Sequence, residues 1–466
     1  MTTTIEHLFT TKNIRNIWKQ LKLTEVPIVT SATTVEIESF REKMIGDLRQ
    51  MRYVPDIGHG YLAYPKARGC ARFVPILTKE DITLYYLLVL SLEDYLVFDL
   101  PGIYGGWRTT PKGAVKEKSK ADPVIYDGYF NNTLSKKQWF KNWSSFTDLL
   151  DELTHSSELG NYVIATDIAN FYDTIDIGRL CSNIASDAPG HEEKVALLKF
   201  FLSFWNRRVR AYHPVSSGIP QEIISDASRI LANYFLKPFD EKFISYCNAR
   251  GLQYVRWADD IIVFGNSPRR LESAIYQASK TLMSMGLNLN ASKTRIFSRS
   301  EYRLHRGLDV LKQINRKHLA DVVAATKAFQ SYGGLKREDT VFRALLGYAE
   351  RSQKARIPYL MAYLDELATE YDHLAVLGPS QFRSRFVLSA NKAACVAQDV
   401  RRLSGKPYAS AKASYLLFIR KYVGLLKRHG IGSRRLAGIA KKFVDEADDK
   451  SLLEEFAAPA TLAAVK

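Results

Sequence analysis

The chain has 466 residues, of which 46% are hydrophobic and 25% charged, and its formal net charge at pH 7 is +17. This composition is that of an ordinary globular protein with two or three domains, and it excludes a disordered chain of low hydrophobicity. The basic balance favours a polyanionic partner, either nucleic acid or an anionic membrane, and an aromatic content of 12% supplies stacking surfaces that suit nucleic acid better.

The sequence predicts a cytoplasmic protein with no membrane partner. The N-terminus lacks a basic region followed by an apolar run, so we expect no signal peptide. No apolar run approaches the roughly 20 residues that are needed to span a bilayer. The four cysteines are scattered with no CxxC spacing, which indicates reduced thiols rather than a disulfide or zinc framework.

The first hundred residues alternate between helical and strand patterns. Residues 14–23 and 35–51 are amphipathic and predict helices. Residues 61–75 alternate basic with apolar residues, as a β-hairpin would, and residues 77–98 predict a long apolar helix.

Residues 104–145 are rich in glycine, basic residues and aromatic residues, and we expect them to be loop-like. Basic and aromatic side chains together suit a single nucleic-acid strand, through phosphate neutralisation and base stacking, whereas a solvated charged surface is the alternative. The basic members are Arg108, Lys112, Lys116, Lys118, Lys120, Lys136, Lys137 and Lys141. The aromatic members are Trp107, Tyr126, Tyr129, Phe130, Trp139, Phe140 and Trp143.

Three later segments carry the chemistry. In residues 161–176 an apolar strand runs into Asp167, which as a single feature could be a helix N-cap. In residues 216–226 a Gly/Pro turn leads into an apolar-periodic helix expected over residues 227–239, which could be an ordinary loop–helix junction. In residues 254–264 two apolar arms flank Asp259 and Asp260, which predicts a hairpin with two carboxylates at the bend or, in the simpler alternative, a surface turn. Burying adjacent carboxylates is costly unless a cation neutralises them, and hard oxygen ligands suit Mg²⁺.

In this order and at these spacings, the segments resemble motifs A, B and C of the reverse transcriptases. Residues 167–172 (Asp-Ile-Ala-Asn-Phe-Tyr) resemble motif A, residues 218–221 (Gly-Ile-Pro-Gln) motif B, and residues 257–260 (Trp-Ala-Asp-Asp) motif C, with Trp257 where the family usually has Tyr or Phe. Three matches in order are far more specific than any one of them. The resemblance implies an α+β fold, with right-hand polymerase fingers and palm followed by an all-α, helical-repeat-like C-terminal domain.

The resemblance also implies a catalytic centre for nucleotidyl transfer. Such a centre needs two metal ions about 4 Å apart, held by carboxylates from different strands. The expected catalytic residues are Asp167, Asp259 and Asp260, and the expected metal ligands are Asp167, Ile168 and Asp259. The expected cofactor is Mg²⁺, with Mn²⁺ as the alternative.

The resemblance further assigns residues to the incoming deoxynucleoside triphosphate. Arg72 in the fingers hairpin would engage phosphate oxygens with two donors, with Lys66 and Arg68 as further candidates. Tyr172 matches the sugar gate that disfavours a ribose, and Gln221 would line the nascent base pair. Residues 286–297, read as turn and strand, resemble motif D, which places Lys293 near the pyrophosphate leaving group. Residues 304–308 (Leu-His-Arg-Gly-Leu) are the candidate for a primer-grip hairpin.

The chain from residue 311 onward shows one helical pattern after another, which predicts a helical array in place of a polymerase thumb. The predicted domains are therefore N-terminal helices and fingers at 1–155, palm at 156–310, and the α-helical domain at 311–466, which could mediate homo-oligomer formation. Motif B departs from the family because Glu222 stands where a glycine is usual. Glycine allows close backbone approach, whereas a carboxylate there would repel a template phosphate.

This departure, with the long helical region, makes the chain most similar to bacterial abortive-infection or defence-associated reverse transcriptases. That resemblance implies an antiviral function with DNA and/or RNA as partner. Three hypotheses follow: template-independent, protein-primed DNA synthesis; RNA-templated synthesis of intron or retron type; and a non-catalytic nucleic-acid-binding scaffold.

Overall fold

The computed structural model of the chain describes residues 3–23, 33–56, 61–65, 71–75, 77–110, 112, 115–116, 125–126, 132–156, 160–206, 213–221, 226–316, 319–337, 340–341 and 344–345. The chain divides into two compact units, one formed by Met1–Tyr61 with Val74–Tyr302 and the other by Leu62–Phe73 with Arg303–Lys466. The helices expected beyond residue 345 lie outside the described residues.

The fold is mixed α+β, as expected, with helices more numerous than strands among the described residues. The strands are β1 (Tyr61–Pro65), β2 (Ala71–Pro75), β3 (Ile103–Tyr104), β4 (Val115–Lys116), β5 (Ile125–Tyr126), β6 (Tyr162–Asp167), β7 (Gln253–Trp257), β8 (Asp260–Gly265) and β9 (Arg295–Ser298). The helices are α1 (Thr3–Glu6), α2 (Thr11–Leu23), α3 (Thr34–Arg49), α4 (Lys79–Ser91), α5 (Glu93–Leu96), α6 (Asn132–His155), α7 (Phe171–Thr174), α8 (Ile177–Asp187), α9 (Glu192–Phe204), α10 (Asp226–Phe235), α11 (Lys237–Asn248), α12 (Pro268–Met283), α13 (Arg299–Arg306), α14 (Leu308–Arg316) and α15 (Leu319–Ser331). Among these, no helix combines the length and the apolar character that crossing a bilayer requires.

The first unit is built on a five-stranded sheet with the order β3-β7-β8-β6-β9. β7 and β8 form the predicted antiparallel hairpin, β6 pairs antiparallel with both β8 and β9, and β3 pairs parallel with β7 at the edge. The apolar stretch of β8 is fully buried, which explains its unbroken run of branched and aromatic residues. Helix α12 packs against β8 and β6, and α11 packs against β7, so one face of the sheet is covered close to the hairpin.

The helices of the first unit share the sheet's core. Helix α4 is buried from Asp81 to Ser91, and it packs against α2, α9 and α10. A helix that is apolar on every side must be enclosed by others, which is why this segment reads as one continuous hydrophobic run.

The second unit holds most of β1 and β2 and the chain from Arg303 onward. Among its described residues, a small core is formed by Val310, Ile314, Val322, Phe329, Val341 and Leu345. The proposed primer-grip hairpin at 304–308 is wrong, because these residues end α13 and begin α14. Gly307, at φ +64°, ends α13 in the left-handed conformation that commonly closes a helix.

Two further expectations need correction. The loop predicted over 104–145 is wrong in its second part, because α6 begins at Asn132; Trp139, Trp143, Phe146 and Leu150 recur there at helical spacing. The single helix predicted at 227–239 is divided into α10 and α11 at Leu236. Pro238 lies in the first turn of α11, and a proline fits a helix start but not a helix interior.

Candidate active site

The three predicted catalytic acids meet at adjoining strand ends. Asp167 is the last residue of β6 and Asp260 the first of β8, and the two are direct partners across the antiparallel ladder. The next residue after β6, Ile168, donates its backbone N–H to the carbonyl of Asp259 at 3.1 Å. The register of the sheet therefore brings together residues that are more than ninety positions apart in sequence.

Asp167 has a carboxylate oxygen that lacks a partner. Its side chain is buried, with the residue 6% exposed, and its Oδ1 has no hydrogen-bond partner among the described residues. The other oxygen, Oδ2, accepts a hydrogen bond from the ammonium of Lys293. Because an unpaired buried carboxylate oxygen is costly, this atom marks a position where a cation would be stabilising.

A divalent metal fits these donors in chemistry, although the described residues contain no group of three or more His, Cys, Asp and Glu side chains arranged around one ion. Asp259 and Asp260 are half-buried, and Asp167 offers the orphan oxygen. Carboxylate and carbonyl oxygens suit hard ions such as Mg²⁺, which is commonly held by one or two carboxylates together with substrate phosphates. Ile168 could contribute only through its backbone carbonyl, because its side chain is a hydrocarbon, which is buried in the core.

The segment predicted as motif D lies along the end of β6. Asn290 donates its N–H to the Asp167 carbonyl at 2.8 Å, and Ala169 donates to the Asn288 carbonyl at 2.8 Å. A short 3-10 helix, Ala291–Lys293, follows and leads into β9. These contacts explain why Lys293, whose side chain is 64% exposed, reaches the Asp167 carboxylate. The expected position near a leaving group is not tested by these contacts.

Beneath the hairpin turn lies a buried polar network that the sequence analysis did not identify. The guanidinium of Arg256 donates to the carbonyl of Ala258 at 2.6 Å, to both carboxylate oxygens of Asp240 at 2.9 and 2.5 Å, and to Asn233 Oδ1 at 3.0 Å. Arg256 and Asp240 are both fully buried. Ala258 itself has φ +51°, a left-handed conformation that is unusual for a residue with a Cβ. Arg256 therefore holds the strained residue that immediately precedes Asp259.

Two opposing effects act on the pKa of Asp240 in this network. Burial raises the pKa of Asp240, whereas the Arg256 guanidinium and the Tyr254 hydroxyl, which donates to Asp240 Oδ1 at 2.8 Å, both lower it. The same burial raises the pKa of Tyr254 far above its ordinary value, so its hydroxyl stays a donor. An arginine in the middle of a β-strand could have signalled this network, because a buried guanidinium needs an anionic partner.

The two-residue strand β3 braces the same turn from its other edge. Ala258 donates its N–H to the Tyr104 carbonyl at 3.1 Å, and Arg256 donates its backbone N–H to the Gly102 carbonyl at 2.9 Å. Gly105 follows at φ +112°, and a Cβ there would lie 3.0 Å from the nitrogen of Ala258. Glycine is therefore required at this position both for conformation and for space.

The loop after β3 is fixed by side chains rather than open to solvent. The buried carboxylate of Glu93 accepts hydrogen bonds from the backbone and hydroxyl groups of Thr109 and Thr110. Arg108 forms an ion pair with Asp94, so its positive charge already has a partner within the protein. Its expected place among free nucleic-acid-binding cations is therefore not supported by its contacts.

Tyr172 and Gln221 are brought close by backbone pairing between motifs A and B. Ile219 donates its N–H to the Tyr172 carbonyl, and Gly218 donates to the Ile175 carbonyl, both at 2.9 Å. Gly218 has φ +98°, and its carbonyl accepts a hydrogen bond from Trp205 Nε1 at 3.1 Å. Tyr172 and Gln221 are both half-buried, whereas Glu222 lies outside the described residues.

The fingers residues are described less fully. Arg72 lies in β2, opposite β1 in the predicted hairpin, and only its backbone belongs to the described part of the chain. Lys66 and Arg68 lie between the two strands, outside the described residues.

The acids therefore lie at the ends of two paired strands, next to the β7–β8 hairpin turn, as the resemblance to a polymerase palm predicts. Residues 125–334 match the family model described as reverse transcriptase (RNA-dependent DNA polymerase). This segment of the chain is therefore similar to the reverse transcriptases, a family whose members generally use divalent metals.

The chain also matches parts of two individual proteins. The Retron Ec83 reverse transcriptase of Escherichia coli is 27% identical over 123 residues, which are 26% of this chain and 38% of that protein. This chain thus spans well under half the length of that curated relative. The solved structure of apo telomerase from Candida tropicalis, truncated from its C-terminal domain, matches with a TM-score of 0.33 and 12% identity, covering 57% of this chain and 56% of that one.

Proposed function

We propose that this chain is a reverse-transcriptase-type DNA polymerase that adds deoxynucleotides to a 3′ hydroxyl by two-metal nucleotidyl transfer. The observation that carries the proposal is the register of β6 and β8, which sets Asp167 opposite Asp260 and leaves Asp167 Oδ1 buried without a partner. The match of residues 125–334 to the reverse transcriptase family model supports the same reaction.

The proposal gives each residue a role. Asp167 and Asp259, with the carbonyl of Ile168, would hold the divalent ions, and Asp260 would support them from the adjoining position. When bound, Mg²⁺ or Mn²⁺ would increase the nucleophilicity of the 3′ hydroxyl and neutralise the triphosphate. Lys293 adds positive charge at the same edge, and the side chain of Arg72 is assigned to the triphosphate by the resemblance alone.

Tyr172 is proposed to select deoxynucleotides. Its half-buried ring packs against Phe171, with ring centroids 5.7 Å apart, and its backbone is fixed by Ile219. By the resemblance to the family's sugar gate, a bulky ring at this position would clash with a ribose 2′ hydroxyl. We expect Tyr172→Ala to increase incorporation of ribonucleotides relative to deoxynucleotides, whereas Phe200→Ala, which removes a half-buried ring outside the motifs, should leave the ratio unchanged. If Tyr172→Ala left the ratio of ribonucleotide to deoxynucleotide incorporation unchanged, Tyr172 would not be the residue that selects deoxynucleotides.

We further propose that the polymerase acts in antiphage defence, with protein-primed and template-independent synthesis and a homo-oligomer formed through the C-terminal helical region. The support is Glu222 in place of the motif B glycine and the long helical pattern after residue 311. The alternative is RNA-templated synthesis of intron or retron type, and the likeness to a retron reverse transcriptase favours it.

One incorporation assay tests both routes. Purified protein is incubated with Mg²⁺ and each labelled deoxynucleotide, with and without RNase treatment, and the products are separated on a denaturing protein gel. Label that migrates with the protein and resists RNase supports protein priming without a template. Label on free nucleic acid that depends on RNA supports the retron-type route. Asp259→Asn should abolish either signal, and signal that persists in this variant would contradict the polymerase assignment.

A further inference from the structure

A cluster of aromatic rings surrounds the residue that leads into the catalytic turn. Trp257 is the last residue of β7, and the rings of Phe146, Trp143, Trp107 and Tyr104 lie 5.0, 5.1, 6.2 and 6.3 Å from it, centroid to centroid. Trp143 and Phe146 belong to α6, so ring contacts join this helix to the catalytic hairpin. The cluster connects the acids to a surface outside the motifs.

The rings continue from this cluster toward solvent along α6. Trp139 stacks on Trp143, one helical turn away, with centroids 6.2 Å apart and an interplanar angle of 4°. Trp139 is 45% exposed and its neighbour Phe140 is 53% exposed. Single exposed apolar residues are common on protein surfaces, but adjacent exposed rings that continue a ladder are a typical sign of a binding surface.

The charge of α6 changes along its length in a way that suits an anionic ligand. Residues 132–147 include Lys136, Lys137 and Lys141 and no acid, whereas residues 148–155 include Asp148, Asp151 and Glu152 and no lysine or arginine. The exposed rings lie in the basic part, and Lys141 is exposed there on another side of the helix, because residues two positions apart do not face each other. Lysines without nearby acids, next to exposed rings, suit a nucleic-acid strand, whose phosphates are neutralised by basic residues and whose bases stack on aromatic rings.

We propose that Trp139, Phe140 and Trp143 form a stacking face for the unpaired bases of a single nucleic-acid strand that approaches the catalytic turn. The inference deepens the proposed polymerase function and rests on it. Aromatic rings stack on any base, so the face would bind without sequence preference, and the basic part of α6, which includes Lys141, would attract the phosphates of the strand. Two of these rings are held in place, because Trp143 contacts Trp257 and Trp139 stacks on Trp143.

Binding of fluorescent oligonucleotides tests the stacking face. A dT20 and an rU20 probe, titrated separately, distinguish DNA from RNA as the strand that binds. We expect Trp139→Ala to weaken binding about 10-fold, whereas Trp139→Tyr, which keeps a ring, should retain most of the affinity. Tyr276→Ala removes a ring on α12 that is 73% exposed and serves as the matched control, with unchanged affinity expected.

The salt dependence of binding separates stacking from charge. Lys141→Gln should reduce the slope of log affinity against log salt by about 0.7, whereas Trp139→Ala should leave the slope unchanged. Affinity of Trp139→Ala equal to that of the unmodified chain for both probes would overturn the inference. Loss of self-association in Trp139→Ala with unchanged oligonucleotide binding would also overturn it, and would identify the face as a contact between copies.

Asp259→Asn separates failure of this inference from failure of the proposed function. This variant should bind both probes normally and synthesise no DNA, because it lacks a proposed metal ligand but keeps the rings. Normal DNA synthesis by Asp259→Asn would contradict the polymerase assignment. It would not affect the conclusion drawn from oligonucleotide binding by the Trp139 variants. Weak binding by Asp259→Asn would show that the probes report on the acids rather than on α6, and would overturn the stacking face.

Discussion

The two sides of the β7–β8 turn differ in how completely their polar groups are paired. On the buried side, every nitrogen of the Arg256 guanidinium donates a hydrogen bond, and both oxygens of Asp240 accept one. On the open side, Asp167 keeps a buried oxygen with no partner among the described residues. One side of the turn thus has its polar groups satisfied by the fold, and the other has a carboxylate that the fold does not satisfy.

This difference indicates how a site can be both rigid and ready to bind. A buried ion pair is weak evidence for net stability, but it fixes geometry, and here it fixes the carbonyl before Asp259. An unsatisfied oxygen carries a free-energy cost that a bound cation would remove. The buried side therefore determines where the acids lie, and the open side determines what they can bind.

The largest expected effect comes from the open side. Asp167→Asn removes a proposed metal-binding charge and should lower deoxynucleotide incorporation about 1000-fold, since metal ligands stabilise transition-state charge by several kcal/mol. Thermal unfolding should change little, because the amide keeps the shape of the carboxylate and can still accept a hydrogen bond from Lys293. Incorporation assays and a melting curve measure both quantities.

The control for this substitution is Asp173→Asn, which neutralises an exposed acid in α7, six residues further along the chain. It should leave incorporation within about twofold, because surface charges contribute little. If Asp167→Asn retained full incorporation but unfolded at a lower temperature, Asp167 would be a structural residue. Its unpaired oxygen would then not be a metal-binding position.

The next largest effect is expected on the buried side. Arg256→Met leaves the Asp240 carboxylate buried without its cation, and it should lower the free energy of unfolding by about 3–5 kcal/mol. Arg256→Met with Asp240→Leu removes both charges, and apolar pairs of similar volume commonly replace buried ion pairs at little cost. We expect the double variant to recover most of the stability, as measured by chemical denaturation.

Activity should not recover with stability in the double variant. Its Ala258 carbonyl has lost the donor that holds it, so the acids would no longer be positioned, and incorporation should stay low at any Mg²⁺ concentration. A double variant that regains both stability and incorporation would show that Arg256 stabilises the fold without positioning the turn.

The residues that carried the sequence prediction are local in sequence, which is why the chemistry could be predicted. The acids lie beside apolar runs that form β6, β7 and β8, and the hairpin over residues 254–264 is confirmed. Alternating and unbroken apolar runs predict strands, and the resemblance to family motifs supplied the order in which those strands meet.

The residues that the sequence did not predict depend on long-range contacts. Asp240 lies on α11 and Asn233 on α10, and neither follows a recognisable pattern until Arg256 is placed between them. β3 has two residues, too few for any periodicity, and it is defined by its parallel pairing with β7. The helix from Asn132 was obscured because its lysines and tryptophans read more readily as a nucleic-acid-binding loop.

A smaller loss of stability is expected where Gly105, the residue after β3, contacts the β7–β8 turn. Gly105→Ala places a Cβ 3.0 Å from the Ala258 nitrogen, so the turn must shift, and overpacking of this kind costs about 1–3 kcal/mol. Gly190→Ala is the matched control, because Gly190 also has positive φ, at +82°, but its Cβ would meet nothing within 4 Å. The control should show the conformational cost alone, roughly 1–2 kcal/mol.

The two glycine variants are compared by denaturant unfolding and by incorporation. Gly105→Ala should be the less stable of the two and should also lose incorporation, since Ala258 precedes Asp259. Equal stability and equal incorporation in the two variants would mean that β3 does not constrain the turn.

The smallest effect is expected from the outermost group of the buried network. Tyr254→Phe removes the hydroxyl that donates to Asp240 Oδ1, and the net loss of such a hydrogen bond is about 1 kcal/mol. The loss should not be larger, because Asp240 Oδ1 still accepts from Arg256 Nε at 2.9 Å and the ring keeps its packing against Phe243, 4.7 Å away. The hydroxyl is also one of the groups that lower the pKa of Asp240, so its removal should raise that pKa further.

Incorporation by Tyr254→Phe should stay within about twofold of the unmodified chain, because the bond from Arg256 to Ala258 is intact and surplus hydrogen bonds contribute little. Tyr276→Phe, at an exposed position on α12, should change neither quantity. Chemical denaturation measures the stability of both variants, and the incorporation assay measures their activity. A loss of activity in Tyr254→Phe with stability preserved would extend the positioning role from Arg256 to the whole network.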